Sequence, residues 1–410
     1  MGSNDLAFPS SFPLDSLPDA NSPLLILTHP TRAERVATVK HTYHNWGCAL
    51  TEEEYITREE YLTTVPLARN GGITHWILTV ASMPPDGRPI LSSCESLRKR
   101  ALCSRDGEPP VEGIAHAIGS VFTEPAYRGR GYASRMLREL GEKLRGWQVS
   151  PPSPTPTSVP APAPVSPSRA LFSVLYSDIG KSFYARHGWP AFESSHVSFR
   201  PVAGAAAAAA AADKDKKQVA TPIGYHELAE LCAVDEKLLR EDLMRRRDGK
   251  THVAILPELD AMLWHLMRED FMTKSIFGKT PTVRGAVAGK PGQRIWAVWM
   301  RGYYGGLKKK EGNIFHVLRV VVEDPNQPDE ELLDGFRSIV QIAQHEAAEW
   351  HTQDIQIWNP TPKLKGLVEK CGIESQFVVR EMDSIPSLRW HGEEPTSEVV
   401  WVANEKYAWC

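Results

Sequence analysis

The chain has 410 residues, of which 42% are hydrophobic and 24% are charged, and its formal net charge is −3. This composition is typical of a globular protein of two or three domains, and it excludes the basic surface of a nucleic-acid-binding protein. Six cysteines without metal-ligand spacing, and the lack of a signal-peptide or membrane-span pattern, favour a cytoplasmic protein with no metal site and no membrane partner.

Strand and helix patterns alternate along the first 200 residues. A strand at PLLILTHP precedes two helices, each opened by a threonine that can cap it, and then two strands joined by the turn MPPDG. A third strand, a helix, a strand, a short helix and a last strand at AFESSHVSFR follow. This order predicts an α/β domain on a mixed central sheet.

Two segments interrupt the alternation. Residues 150–168 alternate proline with small residues, which predicts a disordered, extended insertion. Residues 204–217 are an alanine run followed by lysine and aspartate, which is typical of a linker. We therefore predict a first domain over residues 1–202, a linker over 203–218 and a second domain over 219–410.

The segment FTEPAYRGRGYASRMLREL joins glycines and arginines to the start of a helix pattern. Unpaired N–H groups at a helix start attract phosphate, and glycines at positions 129 and 131 let the main chain approach an anion. Arg128 and Arg130 add positive charge, so the turn suits a pyrophosphate. It is neither a P-loop nor a dinucleotide fingerprint, and an ordinary glycine turn with surface arginines is the alternative.

The same segment resembles motif A of the GNAT acetyltransferase superfamily, and LYSDIGKSFYARHGW resembles its motif B. Pro125 and Arg128 keep the motif A spacing. The resemblance implies the GNAT fold, with acetyl-CoA as the donor. It also implies pyrophosphate on the N–H groups of residues 128–134, and pantetheine on the preceding strand where two strands splay apart. The predicted cofactor-binding residues are Val121, Phe122, Thr123, Arg128, Gly129, Arg130, Gly131, Tyr132, Ala133 and Ser134.

Acetyl transfer to an amine needs a base for the amine and an acid for the leaving thiolate. Tyr184 stands where many GNAT members carry the tyrosine that protonates the thiolate, and packing of its helix onto the sheet is the alternative. Glu95 is a catalytic candidate and a contact for a cationic substrate, or else a solvated edge charge. Asp178 and His116 are further catalytic candidates, with helix capping and buried scaffolding as their alternatives.

The second half repeats the order strand, helix, strand, short helix without the glycine turn. This predicts a second, degenerate GNAT-like α/β domain. Its long helix begins with Asp329, Glu330 and Glu331, whose carboxylates favour a helix start but repel a pyrophosphate. We therefore expect that the second domain does not bind CoA. The resemblance to tandem members of the superfamily implies that this domain forms part of the wall of the acceptor site. An unrelated α/β domain used for dimerisation is the alternative.

The two copies, motif B and the terminus NEKYAWC together resemble the fungal lysine N6-acetyltransferases. The resemblance implies direct transfer from acetyl-CoA to the ε-amine of free L-lysine, the first step of lysine degradation. The alternatives are a protein-lysine or other amine acetyltransferase and a non-catalytic CoA-binding sensor.

The aromatic terminus itself is expected to dock onto the protein surface. Cys410 is a predicted substrate-binding residue, because some tandem members of the superfamily bring the terminal carboxylate into the active site. A tail packed on its own domain, far from the chemistry, is the alternative.

Overall fold

The computed structural model describes residues 12–149, 169–203 and 220–409. The predicted insertion, most of the predicted linker and Cys410 therefore lie outside the described residues. Within those three ranges, no helix is both long enough and apolar enough to cross a membrane.

The first half contains the predicted elements in the predicted order. They are β1 (Leu25–Thr28), α1 (Arg32–Trp46), α2 (Glu52–Leu62), β2 (Ile73–Val80), β3 (Ser92–Arg105), β4 (Val111–Phe122), α3 (Tyr132–Leu144), β5 (Ala170–Ser177), α4 (Ser182–Ala185) and β6 (Ser195–Phe199). Capping boxes open α1 and α2, in which Thr31 and Thr51 exchange hydrogen bonds with the glutamates three residues later. Local sequence therefore sets where both helices begin.

The second half contains more elements than its sequence pattern predicted. They are β7 (Thr221–Ile223), α5 (Leu228–Arg245), β8 (Thr251–Ile255), α6 (Leu259–Phe277), β9 (Gly285–Ala288), β10 (Ile295–Tyr303), β11 (Asn313–Val322), α7 (Asp329–Glu349), β12 (Asp354–Trp358), α8 (Pro362–Lys370), β13 (Ser375–Val379), β14 (Ile385–Trp390) and β15 (Val399–Trp401). The run β10, β11, α7, β12, α8 repeats the run β3, β4, α3, β5, α4. The predicted second GNAT-like domain is confirmed.

The strands form two mixed sheets. The first has the order β1-β2-β3-β4-β5-β14, with β8 paired to β3 and β15 paired to β8, and the second has the order β13-β6-β12-β11-β10-β9-β7. The strands on either side of α3, β4 and β5, are parallel, and so are β11 and β12 on either side of α7. A helical crossover is the usual connection between parallel neighbours. The predicted α/β class is therefore confirmed.

Each half contributes strands to the sheet of the other half: β6 joins the second sheet, and β8, β14 and β15 join the first. β6, from the first half, lies between β12 and β13 in the second sheet. β14, from the second half, pairs with β5 at the edge of the first sheet. The predicted domain boundaries remain a prediction. Each sheet contains strands from both sides of residues 203–218, so the two sheets do not correspond to two separate ranges of the chain.

A shared hydrophobic core joins the halves. Its largest cluster contains Ala117 and Phe172 from the first half with Met262, Trp296 and Tyr407 from the second, and all five are fully buried. Burial of apolar surface is the main favourable term in such packing. The halves are therefore held together by core contacts as well as by the exchanged strands.

Candidate active site

Strands β4 and β5 part near the middle of the first sheet. Their pairing ends at Ile118 and Leu175, and in the described part of the chain β5 offers no partner to residues 119–122. On the other side of β4, two residues beginning at Ser120 stand opposite Cys94 alone, which is a β-bulge, and Ser120 has a left-handed φ of 53°. The predicted splaying of these strands is present, and it leaves main-chain groups of β4 facing an opening.

The turn after β4 leads directly into α3. Gly129 and Gly131 have φ values of 77° and 83°, which residues with a side chain rarely adopt. α3 then begins at Tyr132 with no side chain capping its first N–H groups and no acidic residue in its first turn. The Arg128 guanidinium donates to the Thr123 carbonyl at 3.0 Å and ties the turn to the end of β4. This geometry suits a pyrophosphate, and binding by these residues remains a prediction.

An open cleft lies between α1, α2 and the strands β2 to β4. Its charged and polar lining includes Arg35, Glu59, Glu60, His75 and Glu95. Its apolar walls include Val39, Ile56 and Trp76. Ser120 and Cys94 also line it, so the cleft reaches the bulge where β4 leaves β5.

Glu95 lies at the deep end of this cleft, beside the bulge. The Ser120 hydroxyl donates to Glu95 Oε1 at 2.9 Å, and His75 Nε2 lies 3.6 Å from Glu95 Oε2. Burial, followed by the nearby Glu59 carboxylate, raises the pKa of Glu95 to about 7, although Arg268 and other neighbours act in the opposite direction. A carboxylate that titrates near neutral pH can take a proton from an amine.

Tyr184 lies on the opposite side of the same opening. It packs in one hydrophobic cluster with Met136 and Leu140 of α3, whereas Glu95 lines the cleft beside α1 and α2. Burial, followed by the nearby Cys94 and Asp178, raises the pKa of Tyr184, so the phenol is protonated at neutral pH. The two candidates therefore flank the β4–β5 opening from different faces of the sheet.

Neither His116 nor Asp178 is among the residues that line the cleft. His116 is fully buried, and burial, followed by the charge of His391, lowers its pKa to about 3. Asp178 is exposed and accepts the Ser384 N–H at 2.8 Å, while α4 begins only at Ser182. Asp178 therefore anchors a loop of the second half rather than capping α4, and the geometry supports neither residue as the base.

The C-terminal segment lies between the two halves. The Tyr407 hydroxyl donates to the Ile255 carbonyl at 2.6 Å, and the Lys99 ammonium of β3 donates to the Trp409 carbonyl at 2.8 Å. The terminus thus docks, as the sequence predicts, and reaches the strand that carries Glu95. Cys410 lies outside the described residues, and its substrate-binding role remains a prediction.

The second sheet has an equivalent opening that the protein itself fills. Pairing of β11 with β12 ends at Val317 and Ile357, as pairing ends in the first sheet. Beyond that point the Glu405 carboxylate accepts a hydrogen bond from the Val320 N–H at 3.2 Å and forms an ion pair with Arg319. The main-chain group that a pantetheine would use is therefore occupied by the C-terminal segment.

The helix start beside this second opening also differs from that of α3. Asp329, at the start of α7, binds Lys363 and Lys370 at 2.7 Å each. Three acidic residues lie in the first turn of α7, whereas the first turn of α3 has none, and their negative charge disfavours a pyrophosphate. Exclusion of CoA from the second half stays a prediction, and both features favour it.

Four residues of the site carried no signal in the sequence. Ser120 contacts Glu95 only because β4 bulges, and a bulge depends on strand pairing rather than on local composition. Arg35, Glu59 and His75 reach the cleft from α1, α2 and β2, and their residue types are common on exposed helix and strand faces.

Comparison with known proteins decides the family. A family model described as the LYC1 GNAT-like C-terminal domain matches residues 205–410, which is half of the chain. The chain belongs to the LYC1-like family of GNAT-fold acetyltransferases. Membership of this family implies an acyl-CoA co-substrate and an amine acceptor, which agrees with the opening and the helix start described above.

Relatives of this LYC1-like chain are distant. An uncharacterized protein of Saccharomyces cerevisiae is 22% identical over 401 residues, covering 89% of this chain and 92% of its own. A protein of Yarrowia lipolytica named lysine acetyltransferase is 25% identical over 300 residues, covering 68% and 72%.

Two solved structures share the fold of this LYC1-like chain. A probable N-acyltransferase from Enterococcus faecalis has a TM-score of 0.50 at 11% identity, covering 89% of this chain and 71% of its own. The N-myristoyltransferase of S. cerevisiae has a TM-score of 0.50 at 9% identity, covering 91% and 80%. At these identities the likeness concerns the two-sheet architecture alone.

The helix start of α3 gives a first prediction. Gly131→Glu puts a carboxylate beside the first N–H groups of α3, so we expect the Kd for acetyl-CoA in calorimetry to rise by about tenfold or more. Gly131→Ala is the control, because it meets the same left-handed φ and the same Ala20 side chain without adding charge. Equal affinities for the two variants would contradict the pyrophosphate assignment.

Proposed function

We propose that this protein transfers the acetyl group of acetyl-CoA to the ε-amine of free L-lysine, giving N6-acetyl-L-lysine and CoA in the first step of lysine degradation. The observation that carries the proposal is the pair Glu95 and Tyr184, which flank the β4–β5 opening from the cleft side and the α3 side. A base on the side of the amine and an acid on the side of the thiolate are what direct transfer requires.

The charge of the cleft supports a cationic acceptor. The ε-amine of lysine has a pKa of about 10.4 and arrives as an ammonium. Glu59 and Glu95 lie close enough for the Glu59 charge to raise the pKa of Glu95, and an ammonium between two carboxylates relieves their repulsion. The Yarrowia lipolytica relative named lysine acetyltransferase adds support for lysine as this cation.

The roles of the two residues follow from proton balance. Glu95 takes one proton from the ammonium, and the neutral nitrogen attacks the thioester carbonyl carbon. A C–N bond forms and the C–S bond breaks, while Tyr184 protonates the departing thiolate. The second proton lost from nitrogen restores Tyr184, and Glu95 releases the first proton to solvent. Ser120, which donates to Glu95 Oε1, keeps this carboxylate directed at the opening.

Product analysis tests the proposal directly. The protein is incubated with acetyl-CoA and a mixture of free amino acids, histone peptides and polyamines, and the products are identified by mass spectrometry. We expect N6-acetyl-L-lysine as the main product. Acetylated peptides in preference to lysine would favour a protein acetyltransferase, and acetyl-CoA binding without any product would favour a CoA sensor.

The pKa of Glu95 predicts a pH dependence. Because the raised pKa is about 7, the carboxylate is ionised above that pH, and kcat/KM should fall as the pH drops through 7. Glu95→Gln should remove this acidic limb of the pH profile, that is, the fall in kcat/KM at low pH. It should also lower kcat by about 10²- to 10⁴-fold. Glu59→Gln removes a charge that raises the pKa of Glu95, so the limb should move to lower pH. A limb unchanged in both variants would exclude Glu95 as the base.

The acid role of Tyr184 is tested by removing one oxygen. Tyr184→Phe should lower kcat by about 10²-fold or more while the melting temperature changes little. Tyr303→Phe is the matched control, because Tyr303 is a buried tyrosine of the second half whose hydroxyl donates to the Trp350 carbonyl at 2.8 Å. If Tyr184→Phe keeps its kcat, Tyr184 serves only in packing.

A further inference from the structure

The wall of the cleft contains an ion pair whose two groups are not hydrogen-bonded to each other. Arg35 of α1 and Glu60 of α2 approach each other to 3.7 Å, which is too long for a hydrogen bond. Glu60 is also bound by Arg32, at 3.2 Å. Among the described residues, no hydrogen bond is made by the Arg35 guanidinium. Arg35 therefore has donors available for an anion.

Arg35 is also distinct in its charge. Of the described residues that line the cleft, it is the single lysine or arginine, and it faces Glu59, Glu60 and Glu95. His75 does not compete for an anion, because burial, followed by the charge of Arg35, lowers the pKa of His75 to about 4. The lining of the cleft thus combines one arginine with three glutamates.

Glu95, His75 and Arg35 line one cleft, which therefore offers a carboxylate and a guanidinium to the two ends of one acceptor. His75 and Glu95 are direct partners across β2 and β3, and such strands lie about 4.8 Å apart. Arg35 lines the same cleft and lies close enough to His75 to affect its pKa. An extended lysine spans roughly 7 Å from its ε-nitrogen to its α-carbon. With the ε-amine at Glu95, Arg35 is the lysine or arginine among the described lining residues that can bind the carboxylate at the other end of the molecule.

We propose that Arg35 and Glu60 bind the α-carboxylate and the α-ammonium of the acceptor, which is therefore a free amino acid that carries a terminal amine. This inference rests on the proposed amine acetylation. Arg35 takes the carboxylate, and Glu60, its partner at 3.7 Å, takes the neighbouring ammonium. Val39, Ile56 and Trp76 cover the carbon chain between the two ends. A lysine within a peptide has neither free group and loses both contacts.

Three acceptors and two variants test the inference. L-Lysine has both end groups, 6-aminohexanoate keeps only the carboxylate, and 1,5-diaminopentane has no carboxylate. Arg35→Gln should lower kcat/KM for lysine and for 6-aminohexanoate by about 10- to 100-fold, because a charged hydrogen bond is lost, and leave diaminopentane unchanged. Arg32→Gln is the matched control, since Arg32 also binds Glu60 but is 82% exposed and does not line the cleft.

The outcomes separate this inference from the proposed function. Selective loss of the two carboxylate-bearing acceptors in Arg35→Gln, with Arg32→Gln near wild type, supports the inference. Equal loss of all three acceptors, or no loss in Arg35→Gln, overturns it while amine acetylation stands. A wild-type protein that acetylates none of the three acceptors overturns the proposed function itself.

Discussion

In both sheets two parallel strands part before they end, and each parting exposes main-chain groups that need partners. β4 leaves β5 after Ile118, and β11 leaves β12 after Val317. In the second sheet the carboxylate of Glu405 accepts the Val320 N–H, so the protein satisfies its own main chain. In the first sheet β5 offers the corresponding part of β4 no partner within the described residues, which leaves those groups to a ligand that carries amides.

The parting of β4 and β5 also organises the chemistry around it. The bulge at Ser120 turns a hydroxyl towards Glu95, and the same opening separates Glu95 from Tyr184. Among the described residues, none from the second half lines the cleft, but α6 packs against α2 and the Arg268 charge counteracts part of the rise in the Glu95 pKa. A degenerate copy can therefore tune the base electrostatically while it supports the wall of the cleft.

Features with a local physical cause were predictable from the sequence. The glycine turn before α3, the capped starts of α1 and α2 and the position of Tyr184 each depend on a few neighbouring residues. Strand alternation could not say which face of β4 faces the cleft, so His116 was a base candidate although it is sealed in the core. Asp178 binds Ser384, which is 206 residues away in the chain. The pairing of β14, which follows Ser384, with β5 could not be predicted from the residues near either strand.

The exchange of β6 and β14 has a consequence for how the chain is made. During synthesis β5 emerges long before β14, so the edge of β5 that later pairs with residues 385–390 has no partner while the second half is still on the ribosome. An unpaired edge in a growing chain is a site for pairing with other chains. β6 likewise has no partner strand until β12 and β13 have been synthesised. The first sheet therefore cannot be complete before the second half of the chain has been synthesised.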